Sequence, residues 1–335
     1  MSFEPNEAEL RTQLSSATTD WEWFVKASSQ LGVMTSAYCR LEQKRLLDLL
    51  PKDLNSYLSE ITKINRSRNQ ALLQQVKELS EIFNTHNINH VFIKGCALLA
   101  AGYFKDYAER LIGDIDLLVE PTDLYKAEQL LLNLNYVASK TTLFGKYKRH
   151  RHLPRLVHPD RLGAVEIHSK ILRKTIPEVL NPEKILEHKI ILNNVYVPRA
   201  ESNTDILILN EQVNDFGYVF KFVNFKACYD SLVLEQLQST NGTTSKYHRL
   251  FYNLRALYFE PNTSNSTHTT TAFMIPFYKH LNQNRVVRQV YTRFIKINLG
   301  LITCLEGVKL FVKNKRFRSD VWNHKFEVLK LLRGE

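Results

Sequence analysis

Asp114 and Asp116 stand two residues apart in the segment Arg110-Leu-Ile-Gly-Asp-Ile-Asp-Leu-Leu-Val119. In a β-strand, side chains at i and i+2 project from the same face, about 7 Å apart. The apolar Ile115, Leu117 and Val119 then turn the other way, into a core. Two carboxylates held together repel unless a cation sits between them, and Mg²⁺ is the cation that takes oxygen ligands alongside substrate phosphates. The plainer alternative is a strand end whose aspartates cap turns and face water. A third acid, Glu166, lies in a second extended stretch, Leu162-Gly-Ala-Val-Glu-Ile-His168. An acid inside so apolar a strand is costly unless it is paired or meets a metal, which makes Glu166 the natural third carboxylate. His168 would share its face, either as a supporting neighbour or in direct contact with substrate. Upstream, Lys94-Gly95 joins a short apolar run to a small-residue segment. Strand, glycine and helix start in that order can hold a phosphate, and also make an ordinary turn.

One more stretch carries chemistry-bearing side chains. Between Lys140 and Arg155 there are six Lys or Arg residues and no acid, interleaved with Tyr147 and, within nine residues, His150, His152 and His158. These could grip a triphosphate or a nucleic-acid backbone, or form a solvated hairpin. The histidine spacing fits no zinc motif.

The flanking patterns say what must position these groups. Residues 1–85 read as helical, with Leu54, Leu58, Ile61, Ile64, Leu72, Val76, Leu79 and Phe83 as the stripe of one long helix after Pro51. Strands are expected at 90–94, around 114–119, from Val137, at 162–168 and at 194–197, with helices at 96–102, after Pro121 and over 182–188. Helices return from Asp205, where Phe216, Tyr218, Phe220, Phe222 and Phe225 read as core, and Asp230 lies on a helix with a buried face. There it would hold an arginine or a metal-site residue, or serve as a cap. Residues 260–271 form a low-complexity polar loop, 285–312 a long helix, and 313–335 a basic tail with aromatic residues that either packs on the body or touches an anionic membrane or RNA. The expected division is a helical region at 1–85, an α+β core at 86–200 built on a small mixed sheet, and a helical region at 201–335.

Composition sets wider limits. The chain has 335 residues, an apolar fraction of 44% and a formal charge of +11. That suits a folded core and an anionic partner such as a nucleotide, a nucleic acid or a phosphorylated glycan. Cys39, Cys96, Cys228 and Cys304 are far apart and read as reduced thiols of a cytoplasmic protein. The acidic N-terminus has no signal-peptide pattern. The most apolar long segment, 290–312, is broken by Arg293, Lys296, Glu306 and Lys309, so no transmembrane segment is expected.

The order Lys94-Gly95, Tyr103, Arg110, Gly113-Asp-Ile-Asp116, Asn135-Tyr136 and Val165-Glu-Ile-His168 resembles the uncharacterised nucleotidyltransferase family of the DNA-polymerase-beta-like superfamily. The resemblance implies two-metal transfer of a nucleoside monophosphate from an NTP to an unidentified acceptor hydroxyl on a small molecule, glycan precursor or protein. Mg²⁺ is the implied cofactor, with Mn²⁺ as its substitute. Asp114, Asp116 and Glu166 would be the catalytic metal ligands, and Lys94, Gly95, Arg110 and His168 would serve the nucleotide. Where the wider superfamily has Gly-Ser, this chain has Gly95-Cys96 preceded by Lys94, so Lys94 or Arg110 takes the serine's place. The competing readings are a basic nucleic-acid-binding module and a catalytically inactive scaffold of the same fold.

Overall fold

A computed structural model of the chain describes residues 3, 6–139, 152–173, 176, 179–237, 245–259 and 274–323. The chain divides into two compact units, one of residues 1–138 with 151–272 and one of residues 139–150 with 273–335.

The first unit begins with α1 (Glu7–Leu14), α2 (Trp21–Gln30), α3 (Met34–Gln43) and the long α4 (Lys52–Thr85). Asp20 caps α2 by accepting a hydrogen bond from the Trp23 amide. β1 (His90–Ile93) runs into α5 (Lys94–Ala100), and β2 (Ile115–Val119) is followed by α6 (Leu124–Asn133). β3 (Val137–Ala138), β4 (Leu156–Val157) and β5 (Val165–His168) complete one sheet in the order β1-β2-β5-β4-β3. Only β2 and β5 are parallel, so the sheet is mixed and the protein is α+β. Next come α7 (Pro182–Glu187), capped by Asn181, and a separate hairpin of β6 (Ile190–Leu192) and β7 (Val195–Val197). α8 (Ala200–Leu209) continues into a π-helical turn at Asn210–Asn214, then α9 (Gly217–Phe220), α10 (Phe225–Glu235) and α11 (Lys246–Phe259). The described part of the second unit is α12 (Met274–Gln283), α13 (Arg285–Lys313) and α14 (Lys315–Asn323).

Both faces of the sheet are covered. Phe92, Ile115, Leu117, Val119 and Ile167 pack with Leu72, Val76 and Leu79 of α4, with α5, and with Ala127 and Leu131 of α6. Val91, Ile93 and Leu118 face the other way, against Ile185 and Leu186 of α7 and Ile206 and Leu209 of α8. The apolar partners expected for Asp114 and Asp116 are therefore in the core, and the acids' own face is closed by helices further along β2.

Two details differ from the sequence expectation. The buried stripe of α4 runs Leu58, Thr62, Asn65, Asn69, Leu72, Val76, Leu79, Phe83, with steps of four and three, while Ile64 is 56% exposed. An apolar count follows Ile61 and Ile64 off that face, because the middle of the true stripe is polar. Phe216, Tyr218, Phe220, Phe222 and Phe225 are half-buried rather than core. Some stack against cations, with Arg173 over Phe216 and Lys221 over Tyr218.

Candidate metal and nucleotide site

The polar middle of α4 explains itself at the backbone it meets. Asn65 donates to the Ala108 carbonyl at 2.9 Å, and Asn69 donates to the carbonyls of Tyr107 (2.6 Å) and Arg110 (2.7 Å). Arg68 reaches the carbonyl of Ile112. Two turns on, Gln75 donates to the Gly163 carbonyl at 2.8 Å and accepts from the Gly163 amide at 2.9 Å. A buried carbonyl without a partner costs free energy, so these amides fix the chain leading into both acid-bearing strands. Gly163 has no room for a side chain, since a Cβ there would lie 2.7 Å from both Ile115 and Leu72. Asn65, Asn69 and Gln75 are positioning residues that a search for acids and glycines passes over. The signal for Asn65 and Asn69 was polar side chains on a helix's buried seven-residue rhythm.

The parallel register then places Asp116 directly beside Glu166, and Leu118 beside His168. Ligand atoms of Asp116, Glu166 and His168 all lie within 4.8 Å of one another. His168 is fully buried, with its Nε2 2.9 Å from Asp116 Oδ1 and 3.5 Å from Glu166 Oε2. Two carboxylate oxygens can only accept, so that nitrogen carries the proton. Its Nδ1 has no hydrogen-bond partner among the described residues. Lys94 follows β1 with φ +63°, a left-handed backbone that lysine seldom adopts, and its ammonium is bonded to Asp116. Asp114 lies at the rim, 29% exposed at its side chain, and is paired with Arg155. His152 Nε2 is 3.9 Å from Glu166.

Charges account for the protonation of the three acids. Burial pushes Asp116 up, but Lys94 and His168 outweigh it and hold the carboxyl at about 2. Glu166 is held below its usual range, chiefly by the hydrogen bond from His168, against burial and the neighbouring Asp116. Asp114 is raised by burial, with Glu166 and Asp116 adding to that and Arg155 opposing it. Asp114 thus feels both other carboxylates, and Glu166 feels Asp116.

Beside this cluster a cavity of about 190 Å³ is lined by Lys94, Gly95, Arg110, Glu211, Lys226 and Asp230, among others. The Arg110 Nε donates to both oxygens of Asp230 at 2.8 and 2.9 Å. The sequence left open whether Asp230 would hold an arginine, and Arg110 is its partner. Lys226, which the sequence did not mark, is half-buried, and its pKa is lowered by burial and by Arg110. Lys94, Gly95 and Arg110 thus share one cavity, whereas His168 lies behind the acids and reaches them rather than the open space. Of the basic stretch, Arg155 reaches Asp114, and His158 packs on the ring of Tyr136. Lys146, Tyr147, Lys148, Arg149, His150 and Arg151 lie outside the described residues.

Two hard carboxylates with ligand atoms within 4.8 Å of each other suit Mg²⁺ or Mn²⁺, while the His168 imidazole, already donating to Asp116, suits orientation better than ligation of Mg²⁺. No curated protein matches the chain. The sequence profile of a family described as uncharacterised nucleotidyltransferase matches residues 17–224, a span that holds α4, the whole sheet and all three acids, and the chain belongs to that family.

Proposed function

We propose that the protein moves a nucleoside monophosphate from an NTP to an acceptor hydroxyl, with Mg²⁺ or Mn²⁺ held by Asp114, Asp116 and Glu166. The observation that carries this reading is the side-by-side pairing of Asp116 and Glu166 on parallel strands, with Asp114 two residues away. When bound, divalent cations would stabilise charge on the attacking and leaving oxygens of an in-line displacement. The acceptor oxygen bonds to the α-phosphorus, the bond to the bridging oxygen breaks, and pyrophosphate leaves. Glu166, beside Asp116 and reached by His152, would orient the acceptor hydroxyl and take its proton. His168 fixes the carboxylates of Asp116 and Glu166 through one N–H. Lys94, Gly95, Arg110 and Lys226 line the cavity that would receive the β and γ phosphates.

The test is incubation of the protein with each labelled NTP and Mg²⁺ or Mn²⁺, beside Asp114→Asn. Pyrophosphate release by the wild type, lost in the variant, is the expected result. Equal behaviour of the two proteins sinks the proposal. Mn²⁺ binding followed by electron paramagnetic resonance gives a readout that needs no acceptor, and Glu166→Gln should weaken it by roughly tenfold or more.

A further inference from the structure

The second unit presents an apolar surface of unusual regularity. On α13, Val286, Val290 and Phe294 begin a stripe. Ile297, Leu301 and Leu305 repeat it eleven residues on, and Val308 and Val312 start it again. Each of the eight is between 55% and 68% exposed, and no described residue of the unit covers them. Such side chains in water are unfavourable, and a patch of this length marks an interaction surface.

The geometry of the stripe narrows what covers it. An eleven-residue recurrence corresponds to about 3.67 residues per turn, close to the helix's own 3.6. The stripe therefore stays nearly straight over about 39 Å of helix. The polar sectors around it are basic. On α13 there are six Lys or Arg residues and one acid, Glu306, and three more cations, Lys315, Arg316 and Arg318, follow on α14. Arg293, Lys296, Lys309, Lys313, Lys315 and Arg316 are exposed. A second copy of the same helix would bring this surplus against itself, and like charges along both edges oppose that pairing. A nucleic acid would meet the basic residues but leave the aliphatic stripe in water. A membrane span is not supported, since no described helix is long and apolar enough to cross one. A straight apolar stripe edged with cations matches a bilayer interface bearing anionic headgroups. Trp322 of α14, 73% exposed, adds a side chain suited to that depth.

We propose that α13 lies in the interface of an anionic lipid bilayer and holds the protein at that surface. The experiment is co-sedimentation of the full chain with vesicles of phosphatidylglycerol and phosphatidylcholine, beside vesicles of phosphatidylcholine alone. The expected result is binding to the anionic vesicles that is roughly tenfold or more tighter than to the neutral ones and that weakens in high salt. Two variants probe the two halves of the surface. Leu301→Glu with Leu305→Glu should abolish binding to both vesicle types. Lys296→Gln, Lys309→Gln and Lys313→Gln together should remove the preference for anionic lipid. All five positions are exposed, so helical content by circular dichroism should match the wild type. Absence of binding, equal binding to both vesicle types, or binding that survives the double glutamate variant overturns the proposal. So does a solution dimer that the glutamate variant dissociates while vesicles stay unbound, because a second copy would then cover the stripe.

Discussion

Two clusters of charge sit next to each other in the first unit, and they differ in balance. Around Asp116 there are three carboxylates, Asp114, Asp116 and Glu166, against the cations of Lys94 and Arg155. In the adjoining cavity, with Lys94 taken up by Asp116, Arg110 and Lys226 stand with Asp215 and Asp230, while burial raises Glu211 to about 8 and so keeps it neutral near pH 7. The first place lacks positive charge, and the next is balanced. Divalent cations would complete the first, which is the physical content of the proposed function. Asp116 and Asp230 show the contrast within one residue type. They are 7% and 1% exposed, yet Asp116 is held low by Lys94 and His168, whereas burial pushes Asp230 up against the pull of Arg110. Asp116 is set among like charges, as a functional group is. Asp230 is ion-paired with Arg110 and also feels Lys226, as a structural group does.

Asp230→Ala gives the comparison its hardest test. It would leave Arg110 buried and unpaired, at a cost of about 3–5 kcal/mol, read as a large fall in the urea midpoint. Asp114→Asn should do the reverse. It removes a carboxylate that Glu166 and Asp116 both repel, so the midpoint should stay equal or rise while nucleotidyl transfer falls by about 10²–10³-fold. If Asp114→Asn destabilises like Asp230→Ala, the two clusters are not different in kind. Asn69→Ala strips a donor from the carbonyls of Tyr107 and Arg110, for about 1–3 kcal/mol of stability by the same denaturation assay.

Glu211 gives a smaller, pH-dependent effect. Its usual value is 4.5, and the folded protein raises it to about 8, so the folded state holds that proton more tightly than the unfolded chain does. The contribution to stability is full below the lower value and is lost as pH rises toward the higher one, by about 1.4 kcal/mol per pH unit. Glu211→Gln should flatten that slope, so its midpoint should gain on the wild type as pH increases. A gain that is the same at every pH would show that Glu211 is not held neutral.

The site was partly legible before any coordinates. Asp114 and Asp116 read as a same-face pair because a strand alternates its side chains regardless of what surrounds it. Glu166 stood out as an acid within an apolar run. Lys94 and Gly95 were marked by their place between a strand and a helix. What failed was the reading of α4, where only apolar residues were counted and Asn65 and Asn69 were passed over. Those amides matter through carbonyls 38 to 43 residues away, and helical rhythm reports which face is buried but not what is buried against it.

From local sequence alone came the periodic facts: which side chains share a strand face, and that 285–312 forms one long helix. Tertiary structure decided every pairing across the chain, namely Asp116 against Glu166, Lys94 on Asp116, and Arg110 on Asp230 120 residues later. The reason is range. Backbone geometry repeats over two to four residues and is written in the order of residue types, whereas charges and carbonyls find partners only when packing brings distant segments together and excludes the water that would otherwise serve them.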